Sequence, residues 1–115
     1  MSSLQNVTME DFSREVLFSA LPVVVDVYAD WCGPCRALAP LLDRLAAKYQ
    51  GRLRFVKVNA DEEQDLTSYY RVEGLPTLLL FRNGQLVDRV VGLSDLRALV
   101  AKLNRLAAVS AAVNS

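Results

Sequence analysis

The chain predicts an α/β fold, a mixed sheet of about five strands flanked by four helices in the order β-α-β-α-β-α-β-β-α. Three observations lead there. Val23-Val24-Val25-Asp26-Val27-Tyr28 is a β-branched run with almost no polar alternation, the mark of a strand buried on both faces, as in a parallel sheet. Stretches of helical period alternate with strand-like stretches along the whole chain, so the lead-in β-α-β-α-β predicts parallel strands with right-handed crossovers. Asn83-Gly84 lies between two apolar runs, a strong hairpin signal that adds an antiparallel strand.

Each element has a local reason. Ser3–Val7 reads as a short edge strand. Thr8 caps a first helix through about Ser19, with Asp11 three residues on as a variant of the capping box. Val23–Tyr28 is the buried strand. A helix from about Pro34 to Tyr49 places Leu38, Leu41, Leu42, Leu45 and Tyr49 inward, sets Arg44 and Lys48 outside, and ends at Gly51. Pro40 inside it removes a backbone hydrogen bond and should bend it. Leu53–Asn59 is the next strand. Asp61 with Gln64 predicts a cap for a short helix to about Tyr70. Thr77–Arg82 and Leu86–Val91 flank the Asn83-Gly84 turn. Ser94 is the expected cap of a last helix carrying Leu96, Leu99, Val100, Leu103 and Leu106 on one face. The small, weakly polar stretch 107–115 is expected to fray.

The 115 residues fit a single domain, with a core of about 4–106, and a composition 52% hydrophobic implies a globular chain. Net charge is zero and no basic run occurs, so neither nucleic acid nor an anionic membrane is an expected partner. No apolar stretch approaches the ~20 residues that span a bilayer. The amino-terminal residues lack the basic and apolar regions of a secretory signal. A reducing compartment is therefore expected: the cytoplasm, or an organelle stroma if a transit peptide has been removed.

Trp31-Cys32-Gly33-Pro34-Cys35 carries the chemistry and holds the only two cysteines. It stands at a strand-to-helix junction. Residues i and i+3 of a helix share a face, roughly 5–6 Å apart at Cβ, within reach of a disulfide. Gly33 and Pro34 keep the turn compact, and Pro34 suits the first helical turn, where no amide partner is lost. Such a bridge closes a tiny loop and constrains the unfolded chain little, so a stabilising staple is a weak reading. Cys32 lies at the helix N-terminus, where free N–H groups and the helix dipole stabilise a thiolate; Cys35 lies one turn inward. This makes Cys32 the expected nucleophile and Cys35 the resolving thiol. Zinc is the rival for a Cys-x-x-Cys pair. It wants four ligands, and with no histidine and no third cysteine only a dimer-bridging site completes the shell. A Cys–His dyad is excluded for the same want of histidine.

The Trp-Cys-Gly-Pro-Cys site between a buried strand and a helix resembles the thioredoxin family. The resemblance extends over about residues 4–106 through Val27–Cys35, Pro40, Phe55–Asp61, Gly74-Leu75-Pro76-Thr77, Asn83-Gly84 and Gly92. It implies a thioredoxin fold and a protein-disulfide reductase. Asp26 matches the family's buried acid beneath the disulfide. It is expected either to move the Cys35 proton or simply to be a buried acid held by hydrogen bonds or by Lys57, the residue that matches its family partner. The alternative is that Lys57 snorkels. Pro76 matches a cis-proline facing the disulfide. The family likeness further implies a low-relief docking surface for substrate around Cys32, formed by Trp31, Gly33, Pro34, Gly74, Leu75, Pro76, Gly92 and Leu93. Trp31 can be core, but its place beside Cys32 favours the rim of the site; the glycines and Leu93 can serve only turns and core. Tyr28 replaces a usual Trp, Arg36 stands where Lys is frequent, and Glu73 adds an acid beside Gly74.

No Gly-x-Gly-x-x-Gly or Walker loop is present, so no bound cofactor is expected beyond the redox-active Cys32–Cys35 pair. The implied partners are disulfide-containing target proteins and a reductase, NADPH-flavin or ferredoxin-dependent, that resets the pair; a monomer is expected. An oxidase or isomerase of secreted proteins is the runner-up. A binding module with incidental thiols is the non-enzymatic alternative.

Overall fold

A computed structural model describes the backbone of residues 2–114 and the side chains of residues 2–108. The sheet has five strands: β1 (Gln5–Asn6), β2 (Val23–Tyr28), β3 (Arg54–Asn59), β4 (Thr77–Arg82) and β5 (Gln85–Val91). Their spatial order is β1-β3-β2-β4-β5. The first three are parallel, and β4 and β5 run antiparallel to their neighbours. Among the described residues four helices flank the sheet: a π-helical turn (Ser13–Leu17), α1 (Gly33–Lys48), α2 (Gln64–Tyr69) and α3 (Leu96–Asn114). This is the mixed α/β architecture expected.

β2 is central, and all six of its residues are buried. Its pleat divides the core. Val24, Leu78 and Leu80 face Leu38, Leu42 and Leu45 of α1 and Leu99, Leu103 and Leu106 of α3. Val23, Val25 and Val27 pack on the other face with Val56, Val58, Leu79 and Phe81, under Phe12, Val16 and Leu66. Each large apolar side chain so buried contributes roughly 1.5–3 kcal/mol. Tyr49, fully buried just beyond α1, donates its hydroxyl to Asn104 Oδ1 at 2.5 Å and so ties α1 to α3. Pro40 is accommodated inside α1 on its exposed side.

Several termini differ from expectation. The first helix does not begin at Thr8. Only half of the capping box forms: Asp11 Oδ1 accepts the Thr8 N–H at 2.6 Å and its hydroxyl at 3.1 Å. The chain then turns to Asp11 and widens into the π-helical turn, with Phe18 N–H donating to Ser13 O at 2.9 Å. Asp61 does not cap α2; the N-cap position is Glu63, without a side-chain bond, because the Asp61 carboxylate is engaged elsewhere. At α3 the cap is Asp95 and not Ser94. Its Oδ1 accepts from Arg97 N at 3.0 Å and Ala98 N at 3.3 Å, while Leu96 stays 46% exposed outside the apolar stripe. Of the stretch 107–115, Ala107 is buried against the core, the helix continues to Asn114, and Ser115 lies outside the described residues.

The β4–β5 turn meets its prediction. Asn83 (φ 51°) and Gly84 (φ 78°) both take the left-handed conformation that a two-residue hairpin of this type demands. Gly84 is required twice over, since an added Cβ would lie 2.9 Å from the carbonyl oxygen of Leu17.

Candidate active site

Cys32 is the N-cap of α1. Its backbone is extended (φ −82°, ψ 108°), so the side chain turns back over the first helical turn, and its Sγ accepts the Cys35 N–H at 3.2 Å. That N–H is one of the amides a helix leaves without a partner at its start. Cys32 N–H is itself held by Ala29 O at 3.1 Å. Pro34 falls in the first turn as predicted. Cys32 and Cys35 are disulfide-bonded, their Cα atoms 5.2 Å apart, and pack with Tyr28, Ala29 and the half-buried Leu75.

The rim of the site is polar in its supports and apolar in its face. Trp31 is 69% exposed and is not core. Its indole N–H donates to Asp61 Oδ2 at 2.9 Å. Arg36 donates from Nη1 to Asp30 O at 2.6 Å, directed back along the loop before the cysteines. Gly33 and Pro34 are exposed beside them.

The loop opposite contains the cis Leu75–Pro76 peptide, with Pro76 buried and Gly74, Leu75 and Gly92 half-buried. Pro76 O accepts the Gly92 N–H at 2.8 Å, and Gly74 O accepts the Thr77 hydroxyl at 2.5 Å. Gly92 has φ 70°, a backbone that favours glycine. Among the described residues, neither the amide nor the carbonyl of Leu75 has a backbone partner. Leu93 packs against the α1–α3 side of the core, apart from the cluster around the cysteines. Glu73 is exposed beside this loop.

Asp26 lies two residues before Tyr28, hence on the same face of β2, and is 4% exposed. Burial pushes its carboxyl up to about 7, against the opposing pull of the Lys57 ammonium. Lys57 is its register partner on β3, yet the Lys57 Nζ donates to Ser2 O at 2.7 Å, and Asp26 Oδ1 is buried without a hydrogen-bond partner among the described residues. Lys57 does not snorkel to solvent; it is 8% exposed. Among the described residues no group of three or more histidine, cysteine or acidic side chains is arranged to hold a metal ion.

Two supporting residues escaped sequence reasoning. Asp61 read as a helix cap. Its link to Trp31 follows from register: Tyr28 pairs with Asn59, so the residues just past both strand ends are neighbours. The Ser2 carbonyl has no sequence signal, because backbone oxygens look alike in every residue.

Comparison with known proteins agrees with this geometry. The family model described as Thioredoxin matches residues 3–105. The chain is 49% identical to Thioredoxin 1 of Nostoc sp. over 92 residues, covering 80% of this chain and 86% of the relative. It is 42% identical to the thioredoxin of Synechocystis sp. over 105 residues, 91% of this chain and 98% of the relative. With the thioredoxin of Rickettsia felis it shares 40% identity over 100 residues, 87% and 95% of the two chains.

Proposed function

The chain belongs to the thioredoxin family, and from that premise we propose that it reduces protein disulfides with Cys32 as nucleophile and Cys35 as resolving thiol. Thioredoxin-type dithiol–disulfide exchange is its reaction, and the Cys32–Cys35 pair is its redox centre. In the reduced form, the Cys32 thiolate attacks one sulfur of a target disulfide. A mixed disulfide forms and the other target sulfur leaves as a thiolate. Cys35 then loses its proton and attacks Cys32 Sγ, releasing the second target thiolate and leaving Cys32–Cys35 oxidised. Two electrons pass to the target.

The observation that carries this division of labour is the hydrogen bond from Cys35 N–H to Cys32 Sγ. The helix N-terminus stabilises charge on the sulfur that caps it, and the sulfur one turn inward receives no such donor. Asp26 is the proton acceptor for Cys35. A carboxyl raised to about 7 is half in each protonation state near neutrality, which suits a group that must take up a proton and return it. Leu75 offers its unpaired backbone groups to an extended substrate segment, and Trp31, Pro34 and Pro76 border that position. Gly74 and Gly92 allow close approach of that segment. Leu93 is half-buried and packs against the α1–α3 side of the core, so it has the smallest part in this surface.

Targets are disulfide-containing proteins, and a separate reductase returns electrons to the pair. That reductase is NADPH-flavin or ferredoxin-dependent. The working compartment is a reducing one, the cytoplasm or an organelle stroma, where the pair can be kept as a dithiol. The test is reduction of a model protein disulfide with a dithiol reductant, wild type against Cys32→Ser. The variant should be inactive; equal rates in the two would sink the reading.

A further inference from the structure

Asp26 and Lys57 are paired in register on adjacent parallel strands and are 4% and 8% exposed. A buried acid and a buried ammonium so placed gain most by bonding to one another. They do not. The Lys57 Nζ donates to the Ser2 carbonyl at 2.7 Å and lies over the Tyr28 ring, 5.4 Å from its centroid. Among the described residues, Asp26 Oδ1 is left without a partner.

The segment that captures the ammonium is itself pinned. Ser3 donates its N–H to both carboxylate oxygens of Asp43 on α1, at 3.0 and 3.2 Å, and its hydroxyl to Oδ1 at 3.3 Å. Leu4 packs on the α1–α3 side of the core. Ser2 is thereby buried, 7% exposed, with its carbonyl directed at Lys57.

We propose that the amino-terminal segment holds Lys57 away from Asp26, which makes Ser2, anchored through Ser3 and Asp43, a positioning residue for the proton-handling carboxyl. This rests on the role given to Asp26 above. With the Ser2 carbonyl withdrawn, the Lys57 ammonium has a buried donor without an acceptor, and Asp26 Oδ1 is an acceptor without a donor. The two then pair, and Asp26 is held as a carboxylate at pH values where it now carries a proton. Lys57 is the charge that acts on Asp26 among the described residues. β4 presents Leu78 in register. On this side of the sheet α1 contributes Cys35, within the disulfide, and Asp43, bonded to Ser3, while α3 buries Leu99, Leu103 and Leu106.

The experiment is a carboxyl NMR titration of Asp26 in the oxidised, full chain. Ser3→Pro removes both donors to Asp43 without changing any charge, and Asp43→Ala releases the segment from the other side. Each is measured with Lys57 and with Lys57→Met. An ammonium brought against a carboxylate lowers its midpoint by roughly 1–3 units. Ser3→Pro and Asp43→Ala should each lower the Asp26 midpoint by about one unit. The Ser3→Pro shift should vanish in the Lys57→Met background, and the pH profile of turnover for Ser3→Pro should move to acid by the same amount. An unmoved midpoint in both variants, or an equal Ser3→Pro shift in both backgrounds, overturns the proposal. Because the titration reads the carboxyl and not catalysis, a midpoint that shifts while turnover ignores Asp26→Asn would preserve the Lys57 hold and remove the proton role.

Discussion

Trp31, the only tryptophan, is tethered by its indole N–H to Asp61 Oδ2 at 2.9 Å although most of its ring is exposed. The bond crosses from the end of β2 to the end of β3, so the aromatic rim beside Cys32 is held by sheet register. Exposure leaves the ring open to the proposed substrate, and the tether would limit the entropy lost on contact.

Asp61→Ala should therefore loosen the rim without unfolding the protein. A net hydrogen bond of about 1 kcal/mol corresponds to a roughly five-fold fall in kcat/KM for a protein disulfide. The fluorescence anisotropy of Trp31 should fall with it. Unchanged anisotropy and kinetics would show that the bond does not order the ring.

Asp26 links stability to pH with a definite sign. Its folded value, about 7, lies above the ordinary 3.8, so between these values the folded protein holds more protons than the unfolded chain. The contribution of Asp26 to stability is thus most favourable in acid and is lost as pH rises from about 4 to 7. Asp26→Asn should stabilise the oxidised protein at pH 8 by up to about 4 kcal/mol, and hardly at all at pH 4. Denaturant melts across that range measure it. The same variant should slow turnover more at neutral pH than at high pH, where Cys35 loses its proton unaided. A gain in stability independent of pH would contradict the buried, protonated carboxyl.

Cys35→Ser should accumulate mixed disulfides through Cys32, because the attack that releases the target is removed while the first attack is kept. Mass spectrometry of the trapped species would identify the targets. Trapping by Cys32→Ser, with none by Cys35→Ser, would exchange the two roles.

Gly84→Ala places a side chain where φ is 78° and where its Cβ meets Leu17 O at 2.9 Å. The left-handed backbone alone costs about 1 kcal/mol, and the clash with a backbone oxygen adds to it. A loss of roughly 2 kcal/mol in urea denaturation is expected, with kcat/KM unaltered, since the turn follows the end of β4 that pairs with the start of β2, while the cysteines follow the other end of β2. Wild-type stability in this variant would mean that the hairpin shifts freely against the π-helical turn.

Features set by local chemistry could be read from the chain. A β-branched run such as Val23–Tyr28 can be satisfied by few structures other than a central strand. Asn83-Gly84 has few competitors as a hairpin turn. Cysteines three apart at a helix start are within reach of each other in any fold that keeps the helix. Helix starts were read less well, because the polar side chains near them have more than one partner within reach. Asp11 captured the Thr8 N–H, Trp31 drew Asp61 away, and Asp95 took the amides expected of Ser94.

The linear order of residues was enough to establish the sheet, the redox pair and the identity of the buried acid, because each depends on spacing along one segment. Tertiary structure alone decided what those groups touch. Leu93 packed half-buried against the α1–α3 core, Trp31 was bound by Asp61, and the Lys57 ammonium went to the Ser2 carbonyl and not to Asp26. Burial raises the cost of an unpaired charge or donor, so the choice among nearby partners is made only when distant segments meet in three dimensions.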